Sequence, residues 1–400
     1  MKVAYITMEF PATTETFASN DVLTLKKLGL DISVFSLKPK HKKQAAMIHE
    51  RELKDLYIFN CTLKNILLGF LLTLRKPVKT LDLVKWIINS EKSNIKELVK
   101  SMLLIPSSMA VYEQISKSQP DIVHLFWGHY PSIVGYLIYK NEPKILLSMF
   151  LGAYDLCLNL EISKFVAERS GFVFTHSYSN IPMLLKMKIP GDKIETVHRG
   201  IDIKRIDKAI SKFSSVKGRI IAAGKLIPEK KFDLSIRFLK KLIDKDGDFY
   251  LDIVGSGPEL AKLKLLTKKL HLNGRVKFYS HMTQQNLFVK MAESQFFIMT
   301  SNKQSERLPN VVKEAMYCGC VCASFRTQGL DELINSPVNG VIFDEIDKNL
   351  EDFFLLSSEL QLNKIASSAR LTISKKFEIE QSMLQYINKW EEGLSVFNKV

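Results

Sequence analysis

The sequence predicts an α/β fold built from two doubly wound parallel sheets. Short apolar runs alternate with segments of helical spacing from the first residue onward, and this series occurs twice along the chain. A length of 400 residues also favours two domains of roughly 200 residues each. Two such sheets facing one another would leave a cleft between them, outside the carboxyl ends of their strands.

The first series of strands begins at the start of the chain. A strand over 2–7, a helix over 17–28 and a strand over 31–37 form the βαβ unit of a parallel sheet. A basic, mostly helical stretch over about 45–118 follows. Further strands are expected, which makes about six in this half: 121–127, 144–150, 172–177 and 193–199.

The second series begins near residue 218. Six strands are expected there: 218–224, 249–255, 276–280, 295–301, 320–325 and 340–343. We place the domain boundary within 201–217. This gives a first domain over 1–207 and a second over 208–376, with a C-terminal helix (about 377–400) that packs back on the first domain.

The cysteines and the lengths of the apolar runs indicate the cellular compartment in which the protein is expected. Five cysteines, three of them at alternate positions (Cys318, Cys320 and Cys322), make a poor disulfide framework. We expect buried small residues rather than a metal site, and a reducing, cytoplasmic compartment. The first ten residues predict a strand, not a signal peptide. The apolar run over 66–74 is half the length that a membrane crossing needs.

Positive charge is concentrated at the front of the chain. The net charge is +15, and residues 1–100 hold 17 Lys and Arg against 10 Asp and Glu. Much of the excess lies in KPKHKK (38–43) and LRKPVK (74–79). A solvated basic face explains this pattern, and so does peripheral contact with anionic lipid at the inner face of the plasma membrane. No nucleic-acid-binding motif is present, so nucleic acid is not an expected partner.

Lysines and glycines follow the first two strands of the second half. Lys225, Lys230 and Lys231 come after the strand over 218–224, where they suit a diphosphate or form a solvated cluster before a helix. In VGSGPEL (254–260), Gly255 and Gly257 either let the backbone approach a ligand or form a tight turn into the next helix.

The segment over 301–319 supplies carboxylates beside a helix amino terminus. Pro309 stands where the helix begins, and free amides at such a terminus favour a phosphate. Glu306 precedes the helix and Glu314 lies on it. Carboxylates accept pairs of hydroxyl hydrogen bonds, as a sugar ring or a ribose offers. A purely structural role fits either glutamate alone equally well.

In their order along the chain, these elements resemble the retaining nucleotide-sugar glycosyltransferases of family 4, of the bacterial surface-polysaccharide type. The E-x7-E signature of that family appears as Glu306 and Glu314, its basic pair as Lys225 and Lys230, and its glycine stretch as VGSGPEL. Other segments fit in order and spacing: 10–17, 175–180, 197–202, 278–281 and 331–343. The resemblance implies the GT-B fold of two Rossmann-like domains.

Site roles follow from the resemblance residue by residue. It implies three catalytic residues: Glu306, Lys225 and Lys230. It implies a wider donor-binding set: Gly255, Gly257, Arg307, Leu308, Pro309, Asn310 and Glu314. It implies an acceptor side: Thr14, Glu15, Thr16, His129 and Asp155. No metal and no cofactor is implied beyond a UDP- or GDP-sugar as donor substrate.

Four positions depart from the family pattern. Lys225 replaces an arginine, and Lys231 and Arg307 replace glycines, so that Arg307 is expected at the edge of the sugar pocket. Leu151 replaces a histidine in FLGAYD (150–155), whereas Asp155 is retained. His129 is the nearest candidate substitute, or a loop histidine without a catalytic role.

The expected activity is transfer of a sugar onto a growing glycan or a lipid-linked acceptor in exopolysaccharide, capsule or lipopolysaccharide biosynthesis, with the anomeric configuration kept. Two alternatives remain open: a nucleotide-sugar epimerase of the same fold, and a non-catalytic scaffold for glycan assembly. Conversion of the donor without acceptor distinguishes the first alternative, and binding without turnover the second.

Overall fold

The fold is taken from a computed structural model. It describes residues 1–12, 15–40, 44–210, 215–280, 282–303 and 305–397. The chain divides into two compact units: unit 1 is 1–198 together with 379–400, and unit 2 is 199–378.

The strands of the described residues fall into two parallel sheets. In chain order they are β1 Lys2–Thr7, β2 Asp31–Ser36, β3 Tyr57–Asn60, β4 Ile122–Phe126, β5 Leu146–Phe150, β6 Phe172–Thr175, β7 Ile194–Thr196, β8 Val216–Ala223, β9 Tyr250–Val254, β10 Val276–Tyr279, β11 Ser294–Met299, β12 Val321–Phe325 and β13 Val341–Phe343.

Helices connect the strands. In chain order they are α1 Thr16–Lys27, α2 Gln44–Glu50, α3 Leu63–Arg75, α4 Pro77–Glu91, α5 Ile95–Leu103, α6 Ile105–Ser118, α7 Pro131–Asn141, α8 Ala153–Leu158, α9 Glu161–Arg169, α10 Ile181–Lys186, α11 Ile203–Ala209, α12 Phe232–Asp244, α13 Leu260–Lys269, α14 Gln284–Ala292, α15 Asn310–Tyr317, α16 Lys348–Leu356, α17 Glu359–Lys376 and α18 Ile379–Phe397.

The sheet of unit 1 has the order β3-β2-β1-β4-β5-β6-β7, with every pair parallel. Its central strands β4 and β5 are buried along their whole length, as expected for a parallel sheet covered by helices on both faces. The prediction of about six strands in this half missed β3. That strand has four residues, lies at the sheet edge and starts with an exposed tyrosine, so it has no continuous apolar run.

The sheet of unit 2 has the order β10-β9-β8-β11-β12-β13 and is also parallel throughout. All six strands predicted in this half are present. Apolar side chains fill both faces of this sheet, around Phe297 and Met316 on one side and Phe238 and Phe296 on the other. The predicted α/β fold of two doubly wound sheets is confirmed.

The boundary between the units lies earlier than the sequence suggested, at Arg199 rather than residue 208. Ile201 and Ile206 are buried in a core of unit 2, so the first part of the segment in which we placed the boundary packs there and forms α11. The amide of Ile201 donates to the Phe377 carbonyl at 2.8 Å. The chain therefore enters and leaves unit 2 at adjacent positions.

Helix α18 belongs to unit 1, although it follows unit 2 in the sequence. Trp390 on this helix is fully buried and packs against Phe174 and Tyr386. Its indole Nε1 donates to Ser148 Oγ of β5 at 3.0 Å. The last helix thus completes the core on one face of the first sheet.

Cys318, Cys320 and Cys322 are buried, and burial raises the pKa of each thiol well above its usual range. Within the part of the chain that the structure describes, no cluster of three or more His, Cys, Asp or Glu side chains is arranged to hold a metal ion. Across the same residues, no helix combines the length and apolar character that a bilayer crossing requires.

Replacing Trp390 with alanine should lower the free energy of unfolding by about 3–5 kcal/mol, because it removes a large buried ring and its hydrogen bond to Ser148. Urea unfolding followed by tryptophan fluorescence and circular dichroism measures this. Leu384→Ala on the same helix is the control, since Leu384 is exposed. Equal small losses in the two variants would show that α18 contributes little to the core.

Candidate active site at the carboxyl ends of the strands

The order of strands in unit 2 places β8 between β9 and β11. The chain therefore leaves β8 toward one side of the sheet and later returns on the other side. In open α/β sheets, ligands bind at this switch point, outside the carboxyl ends of the strands. The two segments that leave it are 224–231 after β8 and 300–309 after β11. They hold the three residues predicted as catalytic and part of the predicted donor-binding set, Arg307, Leu308 and Pro309.

An ion pair joins the two segments. Lys230 Nζ donates to Glu306 Oε1, and Ser301 Oγ donates to Glu306 Oε2. Backbone contacts hold the same segments together, because the Asn302 amide donates to the Glu229 carbonyl at 3.2 Å. The structure thus brings together two of the three residues predicted as catalytic.

Lys225, the third predicted catalytic residue, is exposed. Its side chain makes no hydrogen bond or ion pair with any residue that the structure describes, so its ammonium group is available to a ligand. Lys231 adopts a left-handed backbone with φ of 47°, at the position where the family pattern has glycine.

The glycines after β9 are explained by the close approach of two loops. A Cβ on Gly255 would lie 1.9 Å from the Gly224 carbonyl oxygen, and one on Gly257 would lie 2.2 Å from that of Leu226. Hydrogen bonds join the same loops, including one of 3.0 Å from the Leu226 amide to the Ser256 carbonyl. Packing therefore accounts for both glycines, and their contact with a nucleotide stays a prediction.

Helix α15 starts directly after the Glu306 segment. Among the described residues, no acceptor pairs with the backbone amides of Asn310 and Val311, so the amino terminus of the helix is open to an anion. Leu308 and Pro309 are buried and fix the entry into the helix. Arg307, expected at the edge of a sugar pocket, is only 4% exposed.

Lys313 is a buried lysine on α15 that the sequence analysis missed. It is fully buried, and its Nζ donates to the Arg199 carbonyl at 2.7 Å and to Asn310 Oδ1 at 3.1 Å. The bond to Arg199 ties the helix to the start of unit 2. No sequence signal separates this lysine from the many exposed ones.

Glu314 lies one turn into α15 and is half-buried. Removal from water raises the pKa of its carboxyl group to about 7, although the charges of Lys313 and Arg205 and a hydrogen bond from Gln284 Nε2 (3.4 Å) act in the opposite direction. The carboxyl group is therefore close to half ionised at neutral pH.

In unit 1 the corresponding switch point lies between β1 and β4. Three residues of the predicted acceptor side follow these strands: Glu15 and Thr16 lie at the start of α1, and His129 lies after β4. Thr14 lies outside the described residues. The structure thus places the described residues of this set around one switch point, together with Asp155 after β5.

Asp155 is buried and organises the loop after β4. Its Oδ1 accepts from the amides of Gly128 (2.9 Å) and His129 (3.2 Å), and its Oδ2 accepts from the amide of Gly152 (3.1 Å). The same Oδ1 lies 3.1 Å from His129 Nδ1. A carboxylate at Nδ1 favours the tautomer protonated there and leaves Nε2 as an acceptor.

Leu151, at the position of the family histidine, is a core residue. It is fully buried, and its side chain occupies the space beside Gly128, where a Cβ would lie 2.1 Å from Leu151 Cδ2. Trp127 next to this contact has a strained backbone with φ of 74°. The position thus contributes packing under the loop that carries His129.

Comparison with known protein families identifies the domain that contains these residues of unit 2. Residues 203–356 match the model described as glycosyl transferases group 1. Unit 2 carries a group 1 glycosyltransferase domain. The matched segment contains Lys230, Glu306 and Glu314, so the candidate site lies inside this domain.

Two curated proteins and a solved structure are similar to this chain well beyond the glycosyltransferase domain. The N-acetyl-alpha-D-glucosaminyl L-malate synthase of Bacillus anthracis is 27% identical over 303 residues, which cover 71% of this chain and 77% of that protein. The amylovoran biosynthesis glycosyltransferase AmsK of Erwinia amylovora is 24% identical over 410 residues, with 94% and 96% covered. Anabaena Alr3699/HepE in complex with UDP matches with a TM-score of 0.70 at 15% identity, covering 98% of this chain and 100% of that one. This likeness shows a common fold, and the predicted GT-B fold is confirmed.

Replacing Glu314 with glutamine should stabilise the protein at pH 8 but not at pH 5. A pKa raised from 4.5 to about 7 means that the folded state binds the proton more tightly than the unfolded state. Tighter binding of this proton adds to the free energy of unfolding. This contribution is fully present below pH 4.5 and is lost as the pH rises through 7. The melting temperature of Glu314→Gln should therefore exceed that of the wild type by a few degrees at pH 8.

Differential scanning fluorimetry between pH 5 and pH 8.5 measures this difference, with Glu359→Gln on the exposed start of α17 as control. A pH-independent difference for Glu314→Gln would contradict the raised pKa.

Asp155→Ala should destabilise unit 1 by about 2–4 kcal/mol, because three buried backbone amides would lose their acceptor. The exposed Asp192 of the same unit provides the control variant Asp192→Ala. Urea unfolding compares the two. A loss of stability no larger than that of the control would show that the loop after β4 does not depend on Asp155.

Proposed function

We propose that this protein transfers a sugar from a UDP- or GDP-sugar to a glycan or lipid-linked acceptor, with retention of the anomeric configuration. The observation that carries the proposal is the contact of Lys230 with Glu306 across the switch point of unit 2, beside the open amino terminus of α15. One site thus offers a cation, a carboxylate and free amides, which suit a sugar diphosphate.

Lys230 and Lys225 bind the diphosphate in this proposal. Lys230 is paired with Glu306 in the structure, whereas Lys225 is exposed. An incoming diphosphate replaces Glu306 as the partner of Lys230, and the released carboxylate then accepts hydrogen bonds from hydroxyl groups of the donor sugar. As the bond from the sugar to the diphosphate breaks, both lysines and the amides of α15 stabilise the negative charge on the leaving nucleotide. No metal ion is needed for this step.

Glu314 binds the nucleotide in this proposal. A carboxylate on the second turn of α15 accepts hydrogen bonds from both ribose hydroxyls, and a pKa of about 7 makes this dependent on pH near neutrality. Gly255 and Gly257 lie in the neighbouring loop after β9, which packs closely against the loop that carries Lys225.

The acceptor binds to unit 1 in this proposal, at the loops after β1 and β4. His129 is oriented by Asp155, so that its Nε2 can accept a hydrogen bond from an acceptor hydroxyl group. The acceptor hydroxyl oxygen bonds to the anomeric carbon on the face of the sugar from which the nucleotide leaves, in one ion-pair-like step without a protein nucleophile. The hydroxyl proton passes to the departing diphosphate.

The processes for which the relatives are named support a place in surface-polysaccharide assembly. AmsK is named for amylovoran biosynthesis. Another relative, at 21% identity over 398 residues, is named as a putative colanic acid biosynthesis glycosyltransferase of Salmonella typhimurium. An acceptor from exopolysaccharide, capsule or lipopolysaccharide synthesis is therefore the class to test first.

The experiment incubates the protein with UDP- and GDP-sugars and lipid-linked acceptors, and measures released nucleotide and glycosylated product by mass spectrometry. Lys230→Ala and Glu306→Gln should each lower kcat/KM by about a hundredfold or more, since each removes a charge used in the transition state. Lys217→Ala, at an exposed lysine of the same unit, should leave it unchanged. NMR of the product reports the anomeric configuration.

Three results would contradict the proposal. Donor conversion without any acceptor would favour an epimerase. Donor binding without turnover, unaffected by Glu314→Ala, would favour a scaffold. An inverted product would exclude retention while leaving sugar transfer in place.

A further inference from the structure

Helix α3 of unit 1 carries a stripe of large apolar side chains on its solvent face. Five members recur at helical spacing, and a sixth follows at the start of α4: Leu63, Leu67, Phe70, Leu71, Leu74 and Val78. They are between 48% and 81% exposed. An apolar stripe at this spacing is what a helix buries against a partner. We call these six residues the α3 stripe.

The opposite face of α3 is already packed within unit 1. Gly69 crosses α6 so closely that a Cβ there would lie 1.9 Å from the Pro106 carbonyl oxygen, and Leu72 is buried in the core. Rotation of the helix would drive side chains into the backbone of α6. The α3 stripe is therefore held outward by the fold and cannot bury itself against its own unit.

The charges around the stripe are mostly positive. Residues 62–104 hold eight Lys and Arg but only three acids, and α3 itself has none of the acids. Lys64 and Arg75, at the two ends of the stripe, are exposed. Apolar side chains flanked by exposed cations are typical of a helix that lies in a membrane interface.

The three acids of this segment are paired within unit 1. Asp82 accepts from the Tyr136 hydroxyl at 2.8 Å, Glu91 accepts from the Ile162 amide at 3.1 Å, and Glu97 pairs with Lys100 at 2.7 Å. Each acid thus has a partner within unit 1, although Asp82 stays exposed, and Lys64 and Arg75 place exposed positive charge at the two ends of the stripe.

We propose that the α3 stripe docks the protein on an anionic lipid surface, with α3 lying in the plane of the interface. A helix of 13 residues is about 20 Å long, so it can bury its apolar face at the boundary between headgroups and acyl chains. Lys64 and Arg75 then contact acidic headgroups. This inference goes beyond the proposed transfer reaction, because docking requires neither donor nor acceptor.

A second copy of the chain fits the stripe less well. In a two-fold interface the same patch meets itself, so Lys64 and Arg75 would approach the equivalent cations of the other copy. Like charges brought together in this way oppose association. Anionic headgroups supply the opposite charge instead.

Flotation of the full chain with lipid vesicles tests the proposal. The vesicles are phosphatidylcholine alone, or phosphatidylcholine with about one third phosphatidylglycerol. The wild type should float with the anionic vesicles, and high salt should weaken this binding. Leu67→Ser, Phe70→Ser and Leu74→Ser combined should reduce the bound fraction about tenfold or more. The combined Lys64→Glu and Arg75→Glu variant should lose the preference for anionic lipid.

The matched control combines Leu265→Ser, Leu356→Ser and Leu360→Ser, three exposed leucines of unit 2, and should bind like the wild type. Circular dichroism verifies that each variant is folded. The proposal is overturned if the wild type binds neither vesicle, or if the control loses binding as strongly as the stripe variant. Light scattering tests the alternative of a second copy. The proposal is overturned in favour of that alternative if the wild type forms dimers but binds no vesicles, and if the stripe variant is monomeric while the control variant still dimerises. Sugar transfer in detergent with a soluble acceptor is measured separately, so the two proposals fail independently.

Discussion

The ion pair of Lys230 with Glu306 is the interaction on which the arrangement of unit 2 around its switch point depends. Three strands, β9 to β11, and the helices α12 to α14 separate these residues in sequence, and only the return of the chain beside β8 brings them together. Their side chains are 19% and 13% exposed. At this depth either charge alone would be costly, so each stabilises the other in the absence of ligand. The cation and the carboxylate are therefore already positioned before any anion arrives.

The strands were predictable because parallel sheets covered on both faces produce continuous apolar runs. Strands such as β4 and β5 follow this rule along their whole length, whereas β3, at the edge of the sheet, does not. The boundary at Arg199 was misjudged for a related reason. Ile201 and Ile206 are apolar, but nothing in their spacing says which core they enter.

The candidate site was predictable where order along the chain was enough. Lysines after β8 and a glutamate after β11 had to meet, because adjacent parallel strands end at the same edge of the sheet. Burial was not predictable in this way. Lys313 is fully buried and Lys225 is exposed, yet both read as ordinary lysines in the sequence. The raised pKa of Glu314 likewise arises from its surroundings, which only the packing of α15 reveals.

The discontinuity of unit 1 has a consequence for the order in which the protein matures. Residues 199–378 form a contiguous unit, whereas the core of unit 1 needs Trp390 from the final helix. During synthesis, unit 2 can therefore complete its core while the first sheet still lacks a covering helix. The part of the chain that leaves the ribosome first therefore cannot complete its core until α18 has been made, and until then the apolar face around Phe174 stays uncovered.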